Sequence, residues 1–404
     1  MRMFFCILMR IHNKIDMHHT NLKYGNKSIN LFVVAFIVCL LQACGNDSDV
    51  GAFPEPIPDI GQEMLINWNV YSSEMQSARS LIGNDEALQT ACSPDKGGQA
   101  IGIWSAYELG GIITENVLGA DGDVSLIYKE NTDDDNYEGW TYAAEAAHWE
   151  KGANYFFNAY FPQDAIEIIG SSDITTFVAR YNSKTTQEDL MLAYSEVDTK
   201  DNTFIPSNPV PLDLHHALAA LRFHFVFTTP SSDQLISCWL ENTVKGKGLT
   251  TQGLLQLGVG GIGNQIRWAL EDVGYQPVGT PFYEWNHETG INITFDQENP
   301  ATAYIDNDDC LYASHDGWLL ILPQESDGTL KFNFTTSAGG DVIHSVMLPT
   351  VTGIDAQGRE DPTGNWYYQS QCYTYIIKIT PTGATVTLSI KPWNQLDSSY
   401  DITF

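Results

Sequence analysis

Residues 221–227 read LRFHFVF, with an aromatic or aliphatic residue at each odd position and Arg222, His224 and Val226 between them. Alternation with a period of two is typical of a strand that buries one face. Comparable runs, rich in aromatic and β-branched residues, lie at 64–70, 101–107, 124–128, 155–160, 190–194, 291–295, 318–322, 330–334, 373–379 and 385–390. Turn residues separate these runs and long stretches with a period of 3.6 are scarce. The sequence therefore predicts an all-β protein made of sandwiches, not of βαβ units.

The length and the prolines predict more than one domain. The chain has 404 residues, whereas one domain usually holds ~100 to 200. Pro206, Pro209 and Pro211 lie within six residues of each other, and proline has no N–H to donate to a strand ladder. We expect a domain boundary there, with one β-sandwich at residues 61–206 and a second at 207–404.

The charge excludes one class of partner. The chain carries 50 acidic and 20 basic residues, a formal net charge of -30. Nucleic-acid binding needs Lys and Arg to displace counterions from phosphates, and no basic stripe follows the first 27 residues. We therefore expect no nucleic-acid partner.

An export signal is predicted at the N-terminus. Residues 31–43 read LFVVAFIVCLLQA, which as a helix spans about 20 Å, less than the ~30 Å of a bilayer core. Residues 41–45, LQACG, resemble the lipobox of bacterial lipoproteins. The resemblance implies a signal peptide at residues 1–43 and lipidation of Cys44, which would anchor the protein in the outer membrane without spanning it. The alternative is a buried strand with an incidental cysteine.

The residues after Cys44 predict a surface location. Asp47 and Asp49 resemble the acidic surface-export signal of lipoproteins in fimbriated gut and oral bacteria. Residues 44–60 are rich in proline and aspartate, and we interpret them as an extended tether. We expect a lipoprotein of the cell surface.

No pattern of reactive residues predicts an enzyme, a cofactor or a metal site. The remaining cysteines allow three disulfide pairings or buried free thiols: Cys92, Cys238, Cys310 and Cys372. Packed histidines and solvated turns are the favoured interpretations of the other clusters, which are His215, His216 and His224, residues 133–135 and 306–309, and the glycine-rich run 258–263. A pair of catalytic carboxylates, as in a glycosidase, has no sequence signature and ranks far below the other functions.

An ordered set of segments points to a family. The segments are WTY at 140–142, WEKG at 149–152, YFFNAYFP at 155–162, QEDLMLA at 187–193, HHALAALRF at 215–223, LILPQ at 320–324, YTY at 373–375 and KPW at 391–393. In this order, after a lipobox, they resemble the fimbrillin family, the subunits of type V pili. No single segment is specific, but together they cover most of residues 61–393.

The resemblance implies a fold and a mode of assembly. The fold is two tandem transthyretin-like β-sandwich domains after a lipoprotein signal peptide. In the family, an arginine-specific protease at the surface removes the first strand of the N-terminal sandwich. A neighbouring pilin subunit then fills the groove with an extended segment, which is strand addition of the β-augmentation kind.

Three parts of this chain fit those roles. Met64, Ile66, Trp68 and Val70 alternate with asparagines and form the predicted removable first strand. Arg79, which precedes Ser80, is the first basic residue after Cys44 and is the predicted cleavage site; the alternative is a solvated loop arginine. Tyr400, Ile402 and Phe404 alternate up to the C-terminus and form a candidate donor strand, unless they are an ordinary last strand.

The resulting prediction is a structural or adhesive pilus subunit that is not an enzyme. Its partners would be neighbouring pilins, the lipid anchor, the protease and a host or bacterial surface ligand. Two alternatives remain. One is a monomeric surface lipoprotein that binds a glycan or host ligand through exposed aromatic residues, and the other is the uncleaved anchor subunit of a pilus.

Overall fold

The structure is a computed structural model of the chain. It describes residues 64–72, 85–115, 118, 123–130, 138–144, 146–173, 176–229, 231–257, 266–292, 303–304, 318–337, 343–355, 358–380 and 382–392. The chain divides into two compact units, Met1–Asp59 and Ile60–Phe404, and all described residues belong to the second.

The first half of the described chain is built mainly of strands. Its strands are β1 (Trp68–Tyr71), β2 (Ile101–Leu109), β3 (Ile112–Glu115), β4 (Asp123–Lys129), β5 (Gly139–Tyr142), β6 (Ala153–Phe161), β7 (Glu167–Asp173), β8 (Thr176–Asn182), β9 (Met191–Asp198), β10 (Val210–Asp213) and β11 (His215–His216). A short helix, α1 (Asp85–Cys92), follows β1, and a single 3₁₀ turn covers Gln163–Ala165.

The second half is also built of strands. They are β12 (Ala219–Phe227), β13 (Gln234–Asn242), β14 (Gln252–Leu257), β15 (Arg267–Leu270), β16 (Phe282–Asn292), β17 (Ala303–Tyr304), β18 (Leu319–Ile321), β19 (Gln324–Glu325), β20 (Leu330–Thr336), β21 (Ile343–Met347), β22 (Gly353–Ile354), β23 (Glu360–Asp361), β24 (Trp366–Tyr367), β25 (Gln371–Thr380) and β26 (Gly383–Pro392). A 3₁₀ turn covers Asp272–Gly274. The prediction of an all-β protein is confirmed.

The main sheet of the first half has seven strands in the order β11-β9-β6-β2-β4-β5, with β3 paired to β2. All of its pairs are antiparallel. Strand β1 does not join this sheet but pairs with β10 in a separate sheet of two strands. One apolar core includes side chains from both sheets, among them Trp68, Phe157 and Leu212. This core positions the candidate site.

A second core lies in the C-terminal half. It includes buried side chains from the sheet β17-β12-β25-β26 and from the sheet β16-β13-β20-β21. Phe223 of β12 stacks on Phe332 of β20 with ring centroids 4.3 Å apart, and the odd-numbered face of residues 221–227 is buried as the alternation predicts; His224 and Val226 on the other face are buried as well, so the strand is covered on both sides. Successive side chains of a strand point to opposite faces of the sheet, so residues 221, 223, 225 and 227 share one face.

A third core combines residues from both sides of the prolines. The sheet β15-β14-β8-β7 pairs strands of the first half with strands of the second, and the core beneath it includes Phe177 and Leu255. The expectation that the prolines interrupt any ladder is wrong at Pro211, because this residue lies inside β10. The boundary between 61–206 and 207–404 stays a prediction.

The described cysteines are buried, and so are His216 and His224. Cys92, Cys238 and Cys372 are free and buried, and burial raises the pKa of the Cys92 thiol to about 12. His216 is buried with its Nδ1 2.9 Å from Oδ1 of Asp189. Residue 310, the acidic runs at 133–135 and 306–309 and the glycine-rich run at 258–263 lie outside the described residues.

Candidate functional site

The candidate site is the seat of strand β1, the groove in which the predicted removable strand lies. Ile66, Trp68 and Val70 are buried, and Asn67 and Asn69 between them are exposed. Met64 is partly buried and packs against the same core. The structure thus brings the four predicted side chains together on one face of an extended segment.

Strand β1 pairs in parallel with β10, with Trp68 opposite Val210 and Val70 opposite Leu212. Hydrogen bonds continue beyond both ends of the pair: Val210 N donates to Asn67 O at 2.8 Å, and Leu214 N donates to Tyr71 O at 2.8 Å. In a parallel pair, only every second residue of a strand forms backbone hydrogen bonds to a given neighbouring strand. Strand β10 can therefore contain a proline at 211, since that position does not donate to β1.

The start of the segment pairs on another side. Ile66 N donates to Ala147 O and Trp149 N donates to Met64 O, each at 3.0 Å, and Leu65 forms an antiparallel bridge with His148. The segment is thus held first by residues 147–149 and then by β10. Backbone groups supply both contacts, so they hold an extended chain of any compatible sequence.

Two aromatic side chains bind the backbone of β1. Trp140 Nε1 donates to Val70 O at 3.2 Å, and Tyr142 Oη donates to Ile66 O at 2.7 Å. Burial raises the pKa of Tyr142, so the phenol keeps the proton that it donates at neutral pH. The carbonyl oxygens of Ile66 and Val70 therefore have partners without a further strand.

Trp68 fills the centre of the groove. Its ring meets the edge of Phe157 at 5.2 Å and that of Tyr142 at 6.2 Å between centroids. Edge-to-face pairs of this kind add about 0.5 to 1.5 kcal/mol each to the energy of burial. The groove thus has one deep aromatic pocket flanked by two aliphatic ones, for Ile66 and Val70.

The segment after β1 carries the predicted cleavage site. Ser72 N donates to Oδ1 of Asp85, the first residue of α1, at 3.1 Å. Arg79 and Ser80 lie between these two described points but outside the described residues, as do Cys44 and the candidate donor residues Tyr400, Ile402 and Phe404. A cut after Arg79 would leave β1 with only non-covalent contacts to the remainder of the sandwich.

Sequence reasoning missed the partner strand. Val210, Leu212 and Leu214 are buried and alternate with Pro211 and Asp213, which is a strand pattern. The prolines suggested a domain boundary instead, and the strand pattern could have been recognised by allowing proline at an edge position.

The described residues contain no cluster for a metal ion and no membrane-spanning helix. None of their histidine, cysteine, aspartate and glutamate side chains form a group of three that could hold a metal ion. No helix in the described part of the chain is long and apolar enough to cross a bilayer. The arrangement at the seat of β1 is one that binds an extended chain.

The comparisons with known proteins agree with this architecture. A family model described as fimbrillin-like matches residues 96–393, and the chain belongs to that family. No curated protein sequence matches the chain.

Several solved structures are similar. A fimbrial protein from Bacteroides vulgatus has 12% identity and a TM-score of 0.50, with 81% of this chain and 99% of that one covered. The tip fimbrial protein Mfa3 from Porphyromonas gingivalis, with a C-terminal truncation, has 11% identity and a TM-score of 0.31, with 73% and 94% covered. A fimbrial assembly protein from Parabacteroides distasonis has 8% identity and a TM-score of 0.32, with 80% and 96% covered. The Bacteroides vulgatus match supports a shared fold, and the family makes this protein a pilus subunit or adhesin of the cell surface.

Proposed function

We propose that the protein is a pilus subunit that joins its neighbours by exchanging the strand in the seat of β1. The observation that carries the proposal is the one-faced burial of β1. Ile66, Trp68 and Val70 are at most 6% exposed, while both asparagines between them are exposed. An extended segment with this pattern can be replaced by another that offers the same alternation.

The free energy gained by burying the side chains of β1 is of a size that another strand could also supply. Burying a large apolar side chain contributes roughly 1.5 to 3 kcal/mol, so Ile66, Trp68 and Val70 together contribute about 5 to 9 kcal/mol as an upper estimate. An empty groove would expose this apolar surface and the free edge of β10. Such an edge is a template for another strand.

The proposed order of events begins with export. Lipidation of Cys44 anchors the precursor in the outer membrane, and residues 44–60 act as the tether. A surface arginine-specific protease cuts between Arg79 and Ser80, and β1 leaves. The C-terminal segment with Tyr400, Ile402 and Phe404 of a neighbouring subunit then enters the groove. The groove and the donor segment are different parts of the subunit. Each subunit can therefore bind one neighbour through its groove and another through its donor segment, which builds a filament.

Treatment of the purified full-length protein with an arginine-specific protease tests this function. We expect a new N-terminus at Ser80 and a ladder of oligomers that resists mild denaturation. The Arg79→Gln variant should show neither, whereas Arg359→Gln, which changes an exposed arginine paired with Asp355, should show both. A ladder formed by uncut Arg79→Gln, or a cut protein that stays monomeric, would contradict strand exchange.

The anchor subunit is the second candidate. It differs in one measurable respect, because an anchor keeps β1 and its lipid. Protein that resists the protease at Arg79 and remains in the membrane fraction would favour that role over the role of a polymerised subunit.

A further inference from the structure

An open cleft of about 640 Å³ lies in the C-terminal half, between the loop that follows β13 and the loop that precedes β16. We refer to it as the loop cleft. Its lining residues are Lys245, Gly246, Asp272, Tyr275, Gln276, Pro277 and Val278. Ligand pockets for small molecules usually have ~300 to 1,000 Å³, so the loop cleft has the volume of a ligand of a few rings.

The first wall of the loop cleft is held by Asn242, which is fully buried. Its side chain donates from Nδ2 to Leu249 O and accepts from Leu249 N, each at 3.0 Å. Its carbonyl accepts from Gly279 N at 3.2 Å, which ties the second loop to the same residue. The side-chain amide and the backbone carbonyl of this one buried residue thus fix the spacing of both loops.

The second wall is held through Gly274. Its carbonyl accepts from Thr251 N at 3.1 Å and from Gln276 Nε2 at 3.3 Å. Lys184 Nζ donates to Gln276 Oε1 at 3.1 Å, so the Gln276 amide is fixed at both ends. A cleft whose polar groups are already positioned loses little entropy when it binds a ligand.

The surface in and beside the loop cleft is apolar at several points. Val278 is 50% exposed, and Val244 and Val273, the neighbours of lining residues in sequence, are 43% and 77% exposed. Tyr275 adds a half-buried aromatic ring. The lining therefore combines an aromatic ring and aliphatic side chains with an amide, a carboxylate and an ammonium group.

We propose that the loop cleft binds a neutral saccharide. A sugar ring has an apolar face of C–H groups that can pack on Tyr275 and Val278, and hydroxyls that both donate and accept hydrogen bonds. The Asp272 carboxylate can accept hydrogen bonds from sugar hydroxyls, the Lys245 ammonium group can donate to them, and the Gln276 amide can do both.

The electrostatics disfavour acidic sugars. Burial raises the pKa of Tyr275, and the negative charges of Asp327, Asp272 and Glu325 raise it further. Asp272, Asp327 and Glu325 offset the nearby positive charges of Lys245 and Lys184, and the chain as a whole carries a net charge of -30, which repels a uronic or sialic acid. The binding does not depend on strand exchange, since the loops and their hydrogen bonds are complete within one chain.

The test uses the purified, uncut full-length protein and a panel of glycans. Maltohexaose, mannohexaose and N-acetyllactosamine are the neutral probes, and sialyllactose and a trigalacturonate are the acidic ones. Titration calorimetry and saturation-transfer NMR should show binding of at least one neutral glycan and weaker or no binding of the acidic ones. Tyr275→Ala should weaken the binding by about tenfold, and Tyr275→Phe, which keeps the ring, by less.

Val278→Arg supplies a variant that does not remove buried atoms, because it fills the cleft from an exposed position. It should also abolish binding, whereas Ile343→Arg, a change at a 59% exposed residue of β21, should have no effect. If no neutral glycan of the panel binds, if only acidic ones bind, or if Val278→Arg binds like the unchanged protein, the proposal is wrong. These outcomes are independent of the ladder assay, so either proposal can fail alone.

Discussion

Trp68 is the residue on which the seat of β1 depends most. It is 6% exposed, and its ring contacts the edges of Tyr142 and Phe157 from two sides. Asn69, its neighbour in the sequence, is exposed on the opposite face. Comparing the effects of substitutions at these two adjacent residues shows how much of the stability of β1 comes from its buried face.

The Trp68→Ala variant should be less stable than the unchanged protein by about 3 to 5 kcal/mol, because it leaves a cavity in a packed aromatic pocket. Asn69→Ala, the matched control, should change the free energy of unfolding by less than about 0.5 kcal/mol. Unfolding in urea measures both. Equal effects of the two changes would show that burial of one face does not hold the strand.

His224 makes the C-terminal half sensitive to acid. Burial, and then the positive charge of Arg222, lower the pKa of His224 from 6.5 to about 4. At pH 7 the histidine is neutral in the folded and unfolded chains, so it has no effect. Below pH 6.5 the unfolded chain binds the proton first. The folded state therefore loses about 3 kcal/mol as the pH falls from 6.5 to 4.

The His224→Phe variant should lose less stability between pH 7 and pH 4 than the unchanged protein does. Changing the exposed His148 to Asn should leave the loss as it is. Urea midpoints at the two pH values give the comparison. An identical loss in His224→Phe would mean that other groups cause the acid sensitivity.

At the level of elements, β1 is held by two different partners, residues 147–149 at its start and β10 along its length. Both use backbone groups, so neither specifies the sequence of the strand that they hold. Specificity comes from the pockets for the alternating side chains. Replacement of β1 therefore requires its departure, and a cross-link that keeps it in place should prevent assembly.

Cysteines at positions 69 and 211 provide that cross-link. Asn69 and Pro211 are opposite each other in the parallel register and both are exposed, so a disulfide would lie outside the core. After protease treatment, the oxidised Asn69→Cys/Pro211→Cys variant should stay monomeric, and addition of a reductant should restore the ladder. Asn69→Cys alone should assemble in both states. A ladder from the oxidised double variant would show that β1 need not leave.

The elements also show what sequence can predict. The strands at 101–109, 153–161 and 219–227 follow from local alternation, and the structure has them within two residues of the predicted ends. The pairing of β1 with β10 joins residues about 140 positions apart and leaves no local trace. The helix at 85–92 was missed because eight residues give too little periodicity to recognise. The sequence pattern thus predicted the strand that lies in the groove. The residues that form the groove could be recognised only in the folded structure.

In the complete protein, the proposed replacement of strand β1 would make this fimbrillin-like chain a building unit of a pilus. The net charge of -30 keeps unassembled subunits apart in solution, so association must come from a specific contact. In the proposed assembly, the seat of β1 offers one half of that contact. The candidate donor at residues 400–404 offers the other.

The most direct measurement is the N-terminal sequence and intact mass of protein sheared from cells, compared with the membrane-bound precursor. The account predicts that the sheared protein begins at Ser80 and runs as a ladder that resists mild denaturation, and that the precursor carries a lipid at Cys44. If the protein is found only as a monomer that is acylated at Cys44 and retains β1, the account of assembly by strand exchange is contradicted.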